Sequence, residues 1–235
     1  MRLRFATTVL LLGLAAGCAM SPPQDPFRLP REELSLKNRT IAMVSVGAPD
    51  FVPGKEEVNR KFESLVMIKL KEGKYEILPP TCFDKTWKEM VVKVGGIYDR
   101  MTGKRYEDKF RLAREHTLRE LHRSFGDVLV LHANLRVVPA KMLKTARASW
   151  DGVTEEMETH GFEGTVKALS LSIVIEDTNG ITLYSNNGGV QLIQKISFYG
   201  QGIPIPAEEL LNRDELFVRA VDIALGPFMK ASSKK

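Results

Sequence analysis

Apolar positions along this chain change period several times, and each change predicts an element. Ile41, Met43, Val44 and Val46 form a short run stopped by Gly47-Ala48-Pro49, the length and punctuation of a buried strand. From Glu56 to Leu70 the period lengthens. Val58, Phe62, Leu65, Val66 and Met67 fall near 3.6-residue spacing, which predicts an amphipathic helix stopped by Gly73. Tyr75 to Leu78 reads as a second strand closed by Pro79-Pro80, and Phe83 to Val94 as a helix broken by Gly95-Gly96. Lys104 to Phe125 is the longest helical pattern. Phe110, Ala113, Thr117, Leu121 and Phe125 share one of its faces, and Gly126 is its stop.

The second half turns to strands. Asp127 to Val138 contains Val128-Leu129-Val130-Leu131, expected as a central buried strand, whereas Pro139 to Glu163 has no clear period and predicts no element. Val166 to Glu176 alternates, and Asp177-Thr178-Asn179-Gly180 is a turn whose Asn-Gly pair is the strongest short hairpin signal. Ile181 to Ser185 returns, Asn187-Gly188-Gly189 predicts another turn, and Val190 to Phe198 a further strand. Asn212 to Met229 closes the chain as a helix, with Leu216, Phe217, Ala220, Val221, Ile223 and Ala224 apolar. This order predicts an α/β (α+β) fold: a mixed β-sheet of parallel strands plus an antiparallel hairpin, with helices packed on it. One globular domain is expected over 40–230, followed by a basic tail at 231–235.

What precedes Thr40 follows a different logic. Arg2 and Arg4 make a basic start, and Phe5 to Ala16 is an apolar stretch of about a dozen residues, where about 20 are needed to span a bilayer. It therefore reads as a signal peptide, residues 1–17. Leu14-Ala15-Ala16-Gly17-Cys18 then places small residues directly before a cysteine, which resembles the lipobox of bacterial lipoproteins. The resemblance implies cleavage between Gly17 and Cys18, a diacylglycerol on the Cys18 thiol and a fatty acid such as palmitate on its new amino terminus. It departs from the usual pattern in one place: Ala15 occupies the position three before the cysteine, with Leu14 one further back. The plain alternative is an ordinary secretory signal with a coincidental cysteine. Ala19 follows the cysteine where an Asp would signal inner-membrane retention, so in a Gram-negative envelope the resemblance implies the periplasmic face of the outer membrane. Residues 18–39, with Pro22, Pro23, Pro26 and Pro30, read as an extended tether, long enough to hold a domain roughly 60 Å from the membrane.

Composition narrows the picture only modestly. The chain has 235 residues, 27% charged and 43% hydrophobic, with 18 Gly and 12 Pro, which excludes collagen-like and low-complexity proteins. Its formal charge of +5 loses Arg2 and Arg4 on processing, leaving little argument from charge. With Cys18 spent on lipid, Cys82 has no disulfide partner and is expected to be a small core residue.

The phrases Thr40-Ile-Ala-Met-Val-Ser-Val, Tyr75-Glu-Ile-Leu-Pro-Pro, Phe125-Gly-Asp-Val-Leu-Val-Leu and Glu176-Asp-Thr-Asn-Gly-Ile-Thr-Leu-Tyr, in that order of elements, resemble the TolB amino-terminal-domain-like group. That group includes LpoB lipoproteins and the curli secretion subunit CsgG, and the resemblance covers Thr40 to Met229. It implies a non-enzymatic protein that binds partners or assembles. Gly95 to Arg105 and Pro139 to Glu163 are longer than the simple domain needs.

Candidate chemistry is sparse. His116 and His122 sit six apart on one predicted helix, on different faces, unlike an i, i+4 chelating pair; His132 lies in an apolar strand and His160 in a polar loop. No metal site and no cofactor are expected. Gly96 and Gly103-Lys104 have the wrong spacing for a phosphate-binding loop, and Arg105 follows Lys104 where Ser or Thr is required, so a turn-built loop is expected. No Gly-x-Ser-x-Gly elbow occurs. Glu155-Glu156 and Glu208-Glu209 read as solvated charge. Lys104, Arg105, Lys109, Arg111, Arg114, Arg119 and Arg123 load one helix among interleaved Glu and Asp, and Lys141, Lys144 and Arg147 recur in one polar segment. These read as solvated faces, with anionic headgroups or an acidic partner as the functional alternative. Aromatic interleaving is absent, so no nucleic acid is expected.

Together these observations predict an outer-membrane-anchored periplasmic lipoprotein. It is expected to act as a non-catalytic binding or accessory module for an envelope assembly, secretion or cell-wall machine. Its partners are the membrane, through the lipid, and an envelope protein of unassigned identity. The alternatives are an oligomeric CsgG-like channel subunit, for which Val190 to Phe198 is the loose membrane-hairpin candidate, and an envelope enzyme without a recognisable motif.

Overall fold

Three parallel strands start the sheet, built from the apolar runs that sequence pattern marks. β1 (Thr40–Met43) pairs in parallel with β2 (Glu76–Leu78) on one side and with the start of β3 (Leu129–Leu143) on the other. The computed structural model describes residues 25–28, 39–157, 163–197 and 199–232. β6 (Gly164–Glu176) runs antiparallel along nearly the whole length of β3, and β7 (Thr182–Leu192) antiparallel along β6. The sheet is mixed and the class α/β, as expected.

Four helices among the described residues cover it. α1 (Lys55–Glu72) and α4 (Asp214–Ser232) lie on one face, α2 (Pro80–Lys93) and α3 (Glu107–Phe125) on the other. On the first face, Val58, Phe62, Val66 and Leu70 of α1 meet Phe217, Val221, Ala224 and Phe228 of α4 above alternate residues of β1, β3 and β6. The Phe62 and Phe217 rings meet at a tilt of 39° with centroids 4.7 Å apart, and Lys69 bridges the two helices through Asp222 at 2.7 Å. On the second face, Phe83, Leu118 and Leu121 cover Ala42, Val128 and Val130. α2 begins at Pro80, three residues before the expected start. Proline is tolerated in the first turn, where its missing N–H has no partner to lose.

Within the segment 139–163, unreadable by periodicity, residues 139–143, 147–150 and 153–156 are strand. β3 continues to Leu143, turns through Ala146 into β4 (Arg147–Trp150) and again into β5 (Val153–Glu156). Pro139 sits inside β3 between the reach of Gly47, which pairs at Asn134, and of β4, which pairs from Lys141. On that stretch of edge a missing N–H breaks no ladder bond. The hairpin curls over so that Trp150 and Val153 lie against Gly189 of β7, and the Trp150 indole N–H donates to the Leu169 carbonyl at 3.2 Å. Ala140, Met142, Ala148, Val166, Ala168 and Leu192 complete this second core.

The turn expected at Asn187-Gly188-Gly189 does not exist; β7 runs straight through it. Both glycines are present for room, and neither has a positive φ. A Cβ on Gly188 would stand 2.0 Å from the Ala220 carbonyl of α4, and one on Gly189 would stand 2.7 Å from Val153. The strand is thus clamped between a helix and a hairpin at van der Waals range. By contrast the Asp177–Gly180 turn forms as expected, with Gly180 at φ 79° and Gly180 N–H donating to the Asp177 carbonyl. After β7 a small hairpin follows, β8 (Gln194–Ile196) with β9 (Gly202–Pro204), and then a single 3-10 turn at Ala207–Glu209.

Within the expected tether, Asp25–Arg28 is paired with the domain. Ser185 N–H donates to the Pro26 carbonyl at 2.9 Å, and Arg28 N–H to the Leu183 carbonyl at 2.9 Å, so the segment adds to the free edge of β7. Phe27 is buried, edge-on to Tyr184 at 5.2 Å. Tyr184 in turn meets Phe228, and Phe228 stacks on Tyr75, so an aromatic chain links this segment to α4 and to the start of β2. The signal peptide, Gly17, Cys18, His160, Phe198 and most of the basic tail lie outside the described residues.

Candidate functional site

Three places gather chemistry. The first is an apolar groove of about 400 Å³ beside the β8–β9 hairpin. Its lining includes Phe51, from the loop after β1, Val137, on the exposed stretch of β3, and Ile193, Pro204, Ile205 and Leu210. Ile193 N–H donates to the Lys167 carbonyl of β6 and Ile205 N–H to the Ile193 carbonyl, each at 3.0 Å, so the residues flanking the hairpin are tied to each other and to the sheet. Phe51, Val137 and neighbouring Ile203 are about half exposed. Sequence pattern missed this groove because its residues come from four separate segments.

The second place is a polar clamp under α3. Glu176, at the end of β6, is only 4% exposed at its side chain. One carboxylate oxygen sits 2.8 Å from His132 Nε2 on β3, and the other accepts from the Arg114 guanidinium of α3. Phe83 lies edge-on to the His132 ring at 6.1 Å. A carboxylate this buried requires partners for its charge, and both oxygens have them. The arrangement holds α3 against β6, next to Gly180, which Arg114 also approaches. Thus His132, read from sequence as lying in an apolar strand, is joined to a carboxylate.

The third is the loop joining α2 to α3. Asp99 organises it by accepting from the Met101 and Thr102 amides, the Thr102 hydroxyl and the Tyr106 phenol, at 2.7–3.0 Å. These donors, the Tyr106 hydroxyl foremost, lower the Asp99 carboxyl from 3.8 to about 2. Gly103 N–H closes the turn on the Asp99 carbonyl with φ at 68°, a conformation that glycine adopts freely. The loop is turn-built, as expected, and it carries no phosphate-loop geometry.

The remaining sequence candidates are scattered. His116 is half-buried with its Nδ1 shielded and unpartnered, and His122 is exposed, 3.5 Å from Asp127. Cys82 is a free thiol, half-buried in the first turn of α2. Glu155 is not solvated charge: it accepts from Arg219 of α4 at 2.8 Å, and Arg219 also donates to the Val190 carbonyl. Glu156 pairs with Arg147 and Glu209 with Lys195 near the surface. Along α3, Arg111 pairs with Asp108 and Arg123 with Glu120; Lys144 pairs with Glu163. Val190 and Leu192, proposed members of a membrane hairpin, are buried in the domain's own cores. Tyr184, its phenol donating to the Ala224 carbonyl, is pushed up to about 12 by burial. Among the described residues no group of three His, Cys, Asp or Glu could hold a metal ion, and no helix is long and apolar enough to cross a membrane.

No family model and no curated protein matches this chain. Among solved structures it is similar to a chain from Helicobacter pylori described as a candidate neuraminyllactose-binding hemagglutinin homolog. The identity is 11% and the TM-score 0.37, over 83% of this chain and 85% of that one.

Proposed function

We propose that this protein is a lipid-anchored envelope lipoprotein whose domain is a non-catalytic binding or accessory module, held close to the periplasmic face of the outer membrane. The sequence Leu14-Ala15-Ala16-Gly17-Cys18 carries the anchor in this reading, and the docking of Asp25–Arg28 along β7 carries the closeness to the membrane. Six residues lie between Cys18 and Asp25, a reach of about 20–25 Å at full extension. With Phe27 buried, the tether does not let the domain range some 60 Å from an anchor at Cys18 but holds it near the bilayer surface. Several acyl chains on one residue give a stable attachment, where a single chain is marginal. The resemblance to the TolB amino-terminal-domain-like group, by its order of elements and short phrases, favours partner binding over catalysis, and the groove beside β8–β9 is where an envelope protein would be received.

The test is the chemistry of Cys18. Mass spectrometry of the membrane-extracted protein is expected to find a mature chain beginning at Cys18 with a diacylglyceryl thioether. Cys18→Ser is expected to move it out of the membrane fraction. An unmodified mature chain in the soluble periplasm would overturn the reading. A ring-shaped oligomer in detergent would favour the channel alternative. An enzymatic reading rests on His132–Glu176, and loss of a measurable activity on His132→Ala would be its evidence.

A further inference from the structure

We infer that the end of the α2–α3 helical hairpin, from Val92 to Tyr106, is a docking surface for an anionic phospholipid bilayer. Ile97 is buried, but three other side chains face solvent: Val92 is 78% exposed, Tyr98 56% and Met101 94%. The loop that carries them is nevertheless ordered, since Asp99 gathers the Met101 and Thr102 amides and the Tyr106 hydroxyl, and Asp99 N–H donates to the Lys104 carbonyl at 2.8 Å. Trp87 packs on Phe110 behind it at 5.4 Å, fixing the two helices that present it. Val92, Tyr98 and Met101 together give this end of the hairpin an exposed apolar surface that something outside the chain can cover.

Charge narrows what that is. Between Lys88 and Arg111 there are seven Lys and Arg against four Asp and Glu. Several of these charges are spent locally: Arg105 on Glu107, and Arg111 on Asp108. Among the described residues Arg100 and Lys104, flanking Met101, make no ion pair, nor does Lys93 beside Val92. Free cations interleaved with tyrosine and single apolar side chains on a projecting turn suit the headgroup layer, where tyrosine straddles the interface and Lys and Arg meet phosphate. A protein interface would instead deplete lysine at its centre. This inference stands apart from acylation of Cys18, because its test uses unacylated protein.

The probe is cosedimentation of the chain from Cys18 to Lys235, made without acylation, with vesicles of equimolar phosphatidylglycerol and phosphatidylcholine, and with vesicles of phosphatidylcholine alone. Binding to the anionic vesicles is expected at low salt and is expected to fade at high salt. The double change Arg100→Ala with Lys104→Ala is expected to lower partitioning about twenty-fold, and Met101→Asp about ten-fold. Both act on exposed side chains, so circular dichroism is expected to be unchanged. Arg136→Ala with Lys141→Ala, which removes two exposed cations from β3, is expected to leave binding as it was. The inference is overturned if the vesicles are not distinguished, if the tip variants bind like the parent, or if the β3 variant loses as much. Indifference to both vesicles, together with crosslinking of the tip to an envelope protein in cells, would overturn it in favour of a protein partner.

Discussion

The two faces of the sheet are built to different depths. Under α1 and α4, 29 described side chains form one buried cluster, running from Phe27 on the docked segment to Phe228. Under α2 and α3 the corresponding cluster has 6, and this layer is held in addition by the Glu176 clamp and by the Trp87–Phe110 and Phe83–His132 ring contacts. Both layers leave apolar side chains exposed, Ile68 and Val218 on the first, and Val92, Tyr98 and Met101 at the far end of the α2–α3 hairpin on the second. The first layer carries most of the core, and the second relies on a smaller core and a polar clamp.

Breaking the deep face is expected to cost most. Phe62→Ala removes a fully buried ring packed against Phe217, and a loss of about 3–5 kcal/mol is expected by denaturant titration. Phe83→Ala on the shallow face is expected to lose less, because its neighbours are fewer and can relax; equal losses would erase the contrast. Next comes the clamp. Glu176→Ala strands Arg114 and His132 beside the sheet, and about 2–3 kcal/mol is expected, below the figure for a fully buried pair because Arg114 is 37% exposed. The change is expected to show first in hydrogen exchange of α3, with α1 and α4 still protected.

A smaller effect is expected at the docked segment. Phe27→Ala empties a pocket at the edge of the deep core, and a global loss of about 1–2 kcal/mol is expected. The sharper readout is local: protease is expected to cut between Ala19 and Arg39 much faster than in the parent chain. Unchanged cutting would mean that Phe27 does not hold the segment on β7. The smallest effect concerns the Asp99 turn. Its carboxyl prefers the ionised form in the folded state, so the order this provides is complete above the ordinary value of 3.8 and lost as pH falls through about 2. Exchange of the Met101 and Thr102 amides, followed across that window, is expected to accelerate while the sheet amides stay protected.

Much of this architecture was legible. The 3.6-residue period marked α1 and α3, Asn179-Gly180 marked its hairpin, and the apolar runs marked β1, β2 and the start of β3, because local periodicity reports directly which face is buried. The misreadings are equally specific. Gly188-Gly189 was expected to turn the chain, yet the glycines make room for Ala220 and Val153, neighbours distant in sequence. β4 and β5 span four residues each, too short to establish an alternation, and their apolar residues make sense only once the hairpin curls onto Gly189.

By itself the sequence determined the class of fold and most of the elements up to Val138, and it is the source of the reading of Cys18 as a candidate anchor, all of which depend on neighbours in the chain. Tertiary structure alone decided that Phe27 docks beside Tyr184, that Glu176 meets both Arg114, 62 residues before it, and His132, 44 residues before it, and that Met101 stands exposed on an ordered turn. Contacts and charge pairs between residues distant in the chain depend on where the fold brings them together, and no local period encodes them.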